Sequence, residues 1–365
     1  MAKIKIAVAG CLGRMGQEIS KQILQNKNLE FVGGFEHKKH KDINKPLNKV
    51  SSINSSKLVT ANAAQLIKEA NVIIDLASRG HNCEFLTAFP ENEIGKKAIS
   101  YLKNYGVDTS NILFDNERLG KYYIEHGFST RSSNIIYDRK NSSFSKLTIE
   151  NSKLEKIIDN VSHIVLSGIT PALSDNCYKN IIKICEIAKS KNKKIIYDIN
   201  YRKTLWSTED AKKFNKKILS FIDYLFTNSS TIEEVFNVSF NESNESDIFS
   251  KSIDAVNFLK KISNFEFIGM TIRNEKKLSG MFFHNNEIIK SEALEVEHLD
   301  RIGAGHAFVA GTLHGILNNW EISDTIVFAV ASFGITHTSF GDVNSFSDKQ
   351  IIEFSKNKLI GNVKR

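Results

Sequence analysis

Apolar and polar positions along this chain fall in blocks that switch between strand and helix periodicity. KIKIAVA at 3–9 is a short apolar run rich in β-branched residues and predicts a buried strand. Met15, Ile19 and Ile23 recur at helical spacing and predict a helix over 14–26, with a second strand at 29–35. Residues 37–58 are polar, carry one of only three prolines, and read as a loop. A short helix over 62–70 and a strand over 71–77, NVIIDLA, complete a β-α-β-α-β order, which implies parallel pairing.

The alternation resumes at residue 85. FLTAF predicts a strand, and 92–105 a helix ending at Gly106. Strands near 121–126 and 133–138 precede a helix at 151–158. Strands at 163–168, 193–200 and 224–228 alternate with helices at 175–190 and 209–219, again the α/β signature. Residues 237–252 are poor in hydrophobics and read as a surface insertion. Strand-rich segments at 265–272 and 279–290 lead to helices at 304–318 and 321–338.

Composition narrows the function classes. The chain has 365 residues, 41% hydrophobic and 25% charged, which fits one large or two smaller globular domains. No apolar run nears the roughly 20 residues of a bilayer span, and no secretory signal is legible. The four cysteines, Cys11, Cys83, Cys177 and Cys185, form no CxxC and fit a reducing cytoplasm. Net charge is +8, but only nine of the 49 basic residues are arginine and the lysines are scattered. Without a basic stripe or interleaved aromatics, a nucleic-acid partner is not expected.

Gly10, Gly13 and Gly16 follow the first strand and open the first helix. Such a turn brings backbone amides and a helix dipole to a pyrophosphate, and Glu36, 20 residues beyond Gly16, can accept from ribose hydroxyls. The same spacing also serves a strand–helix turn that binds nothing. The wording AVAGCLGRMGQEI, LEFVGGFE and NVIIDLAS resembles the start of dihydrodipicolinate reductase, over residues 1 to about 77. That resemblance implies an NAD(P)H site. The reductase's later His-His…Lys and Ser-Gly-Thr segments have no match here.

From about residue 78 onward the chain resembles ribokinase-like (PfkB) sugar kinases, most of all 2-keto-3-deoxygluconate kinase. The resemblance rests on FLTAFPENEIGKKAISYLKNYGVDTS, LSGITPALSDN, DINYRKTLW, DRIGAGHAFVAG and HTSFGDVN, which occur in the family's order. It implies ATP and Mg²⁺, with a sugar acid as acceptor. Gly303, Ala304 and Gly305 open a helix whose amides can hold the charge of a transferring phosphoryl group. Tyr122, Tyr137, Arg139 and Arg202 carry over to the sugar acid, since arginine can grip a carboxylate bidentately. Asn228, Thr271, Arg273 and Asn344 carry over to ATP.

Three departures qualify the resemblance. Position 306 is histidine where the family's GAGD motif has its catalytic aspartate. Imidazole can act as a base, but it lacks the negative charge that helps deprotonate an alcohol. Loss of a general base costs roughly 100- to 10,000-fold, so weak or absent turnover is expected. The N-x-x-E motif has Thr231 in place of its acid, with Glu233 and Glu234 out of step. Residues 1–77 do not resemble the kinase's own first strand, lid sheet and Gly-Gly…Asn segment.

The expected fold is therefore α/β: a ribokinase-like three-layer α/β/α domain over 78–365, lacking its usual first strand and lid, preceded by a partial Rossmann-like β-α-β segment over 1–77. The expected function is ATP-dependent phosphorylation of a sugar acid, impaired by His306. A non-catalytic nucleotide-binding fusion protein and an NAD(P)H-dependent reductase are the alternatives. Neither a nucleic acid nor a membrane is expected as a partner, and a homo-oligomer is compatible with the family.

Overall fold

The computed structural model describes residues 4–9, 12, 14–25, 29–35, 42, 47–53, 59–60, 71–127, 131, 133–240, 248–274 and 276–356. The chain divides into two compact units, Met1–Ala64 and Gln65–Arg365. The division falls ahead of the join expected at 77/78.

In the first unit, β1 (Ile4–Ala9), α1 (Arg14–Gln25), β2 (Leu29–Phe35), α2 (Leu47–Val50) and β3 (Val59–Thr60) follow in order. β1 pairs parallel with β2, and β2 parallel with β3. Parallel neighbours need a crossover connection, and α1 supplies it between β1 and β2. Gln17 Oε1 accepts from the Ser52 hydroxyl at 2.8 Å, tying α1 to the segment after α2. Gly16 lies in the first turn of α1. Gly10, Gly13 and Glu36 lie outside the described residues, as does the helix expected over 62–70.

The second unit begins with α3 (Asn71–Ser78), β4 (Thr87–Pro90), α4 (Glu93–Asn104), β5 (Ile112–Asp115), β6 (Lys121–Glu125) and β7 (Asn134–Asp138). It continues with α5 (Ser143–Lys146), α6 (Asn151–Asp159), β8 (His163–Ser167), α7 (Asp175–Ser190), β9 (Lys194–Asp198), α8 (Thr208–Ile218), β10 (Tyr224–Thr227), α9 (Ser229–Phe236) and α10 (Ser250–Lys260). It closes with β11 (Phe267–Asn274), β12 (Lys277–His284), β13 (Glu287–Lys290), β14 (Leu294–Glu295), α11 (Ala304–Leu317), α12 (Ile322–Thr336) and α13 (Asp348–Lys356).

Seven of these strands form the main sheet, in the order β13-β12-β11-β10-β9-β8, with β14 pairing β12. β8 to β11 run parallel, and β12 to β14 add an antiparallel flank. Side chains alternate between the two faces, as a pleated strand requires. Ile195, Tyr197, Leu225, Ile268 and Met270 pack against α7 to α10. Ile196, Phe226, Phe267 and Phe282 pack against α11 and α12. This is the three-layer α/β/α arrangement.

One expected strand is a helix. NVIIDLA is buried all round, because Val72 and Leu76 enter the core beneath α11 while Ile74 and Ala77 enter a separate core with Phe89 and Leu102. A short apolar run has no polar face to betray its period, so strand and buried helix look alike in sequence. Asp75 sits inside this helix, 1% exposed, and accepts the Asn344 N–H at 3.1 Å. Burial pushes its carboxyl well above the usual range, against the pull of Arg79.

His337, fully buried at the end of α12, gives the fold a pH dependence. Its Nδ1–H donates to the Phe333 carbonyl at 2.7 Å. Burial lowers its pKa to about 3, with repulsion from Arg273, His298 and Arg301 acting the same way and the Phe333 bond opposing. A depressed histidine pKa stabilises the fold above the unfolded value near 6.5 and loses that contribution as pH falls toward 3. By pH 5 the loss is about 2 kcal/mol. Urea unfolding at pH 7 and pH 5 should show this loss in the native chain and not in His337→Gln. Parallel losses in both chains would contradict the assignment.

Candidate active site

Parallel α/β sheets bind ligands beyond the C-terminal ends of their strands, where helix N-termini also gather. Here that edge is a cavity of about 270 Å³, walled by residues at the ends of β9 and β10, by β11, and by the start of α11. Its charged lining is lopsided. Arg202, Arg273 and Arg301 face one carboxylate, Asp198, among the described residues.

The turn into α11 is built on Gly303, at φ 78° and ψ −18°. A Cβ there would stand 2.3 Å from the Asp342 carbonyl oxygen, so only glycine fits. Ala304 is fully buried. Gly305 is different, since a Cβ on it would meet nothing within 4 Å. The first turn of α11 has no acidic residue, so its positive end is uncompensated from within the helix.

His306 follows, 7% exposed and lining the cavity. Its Nε2 is 3.4 Å from the Asn200 side-chain nitrogen. Asn200 is itself held by Asp198 Oδ1, which accepts its N–H at 3.1 Å, and its amide also donates to Ser167 Oγ at 3.3 Å. Arg202 Nη1 donates to the Tyr201 carbonyl at 2.8 Å. Arg273 lies 4.7 Å over the Phe333 ring. Its side chain keeps an open face, yet crowding by protein lowers its pKa to about 10, and Arg301 and Arg202 add to the shift. Arginines pressed together in this way are relieved by an anion.

Asn228 caps α9 by accepting the Thr231 N–H at 2.9 Å, and both residues line the cavity together with Thr271. The nearby acids are used elsewhere or absent from the lining. Glu233 Oε1 accepts the Phe240 N–H at 2.8 Å, and Glu234 is exposed.

Other expected site residues stand back from the cavity. Tyr122 and Tyr137 are cross-strand partners on the β6–β7 hairpin, with Arg139 5.8 and 5.2 Å over their rings. Ile135, two positions from Tyr137, lines the cavity, so the tyrosines share the hairpin face that closes it. The Tyr122 hydroxyl donates to Asp342, the residue whose backbone packs on Gly303. Burial and Asp342 push its pKa up. Asn344 is 1% exposed and outside the lining; its amide donates to the Ser332 carbonyl at 3.4 Å, joining α12 to the Asp75 helix.

Sequence reading passed over Asp198, Asn200, Ser167 and Arg301, although DINYR and LSG already lay at strand ends. It also passed over Asn71. This residue opens α3, is 1% exposed, and neither amide atom has a hydrogen-bond partner among the described residues. α3 packs along α11, and just past its end His81 meets His314 near the C-terminus of α11 at 2.8 Å. The two helices therefore run in the same sense, which puts Asn71 at the Gly303 end.

The chain matches the family pfkB family carbohydrate kinase over residues 68–349. Residues 4–98 match the N-terminus of dihydrodipicolinate reductase. Among curated relatives, the 2-dehydro-3-deoxygalactonokinase of Haloferax volcanii is 24% identical over 275 residues, covering 75% of this chain and 82% of that protein. The crystal structure of a PfkB family carbohydrate kinase from Listeria grayi is similar with a TM-score of 0.70 and 32% identity, over 80% of this chain and 90% of that one. That of 2-dehydro-3-deoxygluconokinase from Thermotoga maritima has a TM-score of 0.73 and 29% identity, over 84% and 93%.

The two glycines should respond oppositely to alanine. Gly303→Ala should cost at least about 1–3 kcal/mol, from its left-handed backbone and its contact with Asp342. Gly305→Ala should be neutral or stabilising by up to about 1 kcal/mol, through helix propensity. Chemical denaturation of both variants measures this, and equal effects would contradict the geometry of the turn.

Proposed function

The chain belongs to the pfkB family of carbohydrate kinases, and from that footing we propose that it phosphorylates a keto-deoxy sugar acid from ATP, slowly, with His306 as the proton acceptor. The observation that carries this reading is the cavity itself. A helix N-terminus with no acid in its own first turn, three arginines and one carboxylate converge where an anionic donor and an anionic acceptor would meet.

In the proposed reaction, the acceptor hydroxyl oxygen bonds to the γ-phosphorus as the bond to the β–γ bridging oxygen breaks. The electron pair leaves with ADP, and the hydroxyl proton passes to His306. The amides of the Gly303–Gly305 turn face the charge on the transferring group. Arg202, beside the hairpin face that carries Tyr122 and Tyr137, holds the acid's carboxylate. Arg139 orders those tyrosines by lying over their rings. Arg273, Thr271 and Asn228 serve the triphosphate from the β10–β11 side, and Asn344, outside the lining, holds α12 to α3. A divalent metal bound with the triphosphate offsets its charge, and Asp198 is the carboxylate in the lining that fits such an ion.

The rate is limited because imidazole is a neutral acceptor beside a helix N-terminus, where a proton gained is a charge disfavoured. Phosphotransfer from ATP to 2-keto-3-deoxygluconate by the full-length chain tests this. The native chain should turn over slowly, and His306→Asp should be faster by roughly 100-fold or more. A folded His306→Asp protein that binds ATP yet forms no phosphorylated sugar would overturn the reading and leave a nucleotide-binding protein without the reaction.

For the N-terminal unit we infer a nicotinamide nucleotide as ligand, supported by the parallel β1–β2 crossover and the match to the reductase N-terminus. Titration of the full-length chain with NADPH should show binding that Gly13→Asp weakens, and no fluorescence change on titration would end this reading.

A further inference from the structure

Asn200 makes an unusual set of contacts. It follows β9 at φ 38°, in the left-handed region, and is 9% exposed. Its N–H is fixed by Asp198 Oδ1 at 3.1 Å, and its side-chain amide reaches Ser167 Oγ at 3.3 Å. The same NH₂ group faces His306 Nε2 at 3.4 Å. One side chain thus links the ends of β8 and β9 to the first turn of α11.

We propose that Asn200 is a positioning residue for His306, holding the imidazole neutral, with its proton on Nδ1 and the Nε2 lone pair turned to the cavity. The inference rests on the phosphotransfer reading for its purpose, but its chemistry is independent of turnover. With the amide NH₂ facing the ring, Nε2 is the acceptor. An imidazolium would set N–H against N–H. The N-terminus of α11 disfavours the cation in the same direction.

The charged groups around the imidazole act in both directions. Asp198, at the end of β9, favours the protonated form. Arg202 after β9, Arg273 on β11 and Arg301 before α11 disfavour it. Asp300 and Asp342, the carboxylates flanking the α11 turn, favour the cation as Asp198 does. Asp300 accepts the Ile302 N–H at 3.1 Å, and Asp342 accepts the Tyr122 hydroxyl. At 3.4 Å the Asn200 contact is weak, so an acceptor hydroxyl can replace it at the lone pair it has oriented.

The test is the NMR titration of the His306 ring in the full-length chain, assigned by its loss in His306→Gln. The native ring should carry the Nδ1–H tautomer signature. Asn200→Asp places a carboxylate against Nε2 and should raise the ring's pKa by about one unit or more. Asn200→Gly suits the left-handed backbone, removes the donor, and should abolish the tautomer preference. Where turnover is measurable, the acid limb of kcat should move upward with Asn200→Asp. Native-like titration and tautomer signature in both folded variants would overturn the proposal. A ring that shifts as expected in a protein without phosphotransfer would sink the kinase reading and leave this inference standing.

Discussion

Phe308 is where the fold and the site become one problem. Its ring lies 6.3 Å from Phe226, 5.9 Å from Phe282 and 6.0 Å from Phe333, so it joins two strands of the sheet to both outer helices. Gly280 leaves room for it, since a Cβ there would stand 2.8 Å from the Phe308 ring. Burial of such a ring is worth several kcal/mol, and it fixes α11 against the strand ends. His306 lies two residues earlier and the glycine turn just before that. The placement of the helix N-terminus over the cavity therefore follows from apolar packing, and the polar chemistry inherits its geometry.

The cavity's charge follows from the same placement. Three arginines are brought to one edge with a single carboxylate, and crowding lowers the pKa of Arg273 to about 10. Asp342 extends the network outward, through its backbone to Gly303 and through its side chain to Tyr122. The hairpin and the turn into α11 are thus joined through one residue.

Much of this was legible in the sequence because local pattern and tertiary demand agreed. α7 and α11 are amphipathic or apolar runs with clear stops, and the strands of the parallel sheet alternate between two buried faces. Gly303, Gly305 and Arg202, singled out from GAG and DINYR, do meet at one cavity. NVIIDLA was not readable, because a helix buried between two cores shows no polar face. Asn200 and Asp198 were passed over because their role depends on meeting His306 and Ser167 across the sheet edge. The position of Asn344 had a different cause: its family place pointed to ATP, while its burial beside Asp75 makes it a stitch between α3 and α12.

The central claim is that the α11 turn and Arg273 serve one polyphosphate site. Calorimetric titration of a non-hydrolysable ATP analogue with Mg²⁺ tests it most directly, in the native chain and in Arg273→Leu. The account predicts one saturable site whose affinity falls about tenfold or more when the charged contact is removed. Absence of binding to the folded native chain, or affinity unchanged in Arg273→Leu, would contradict it.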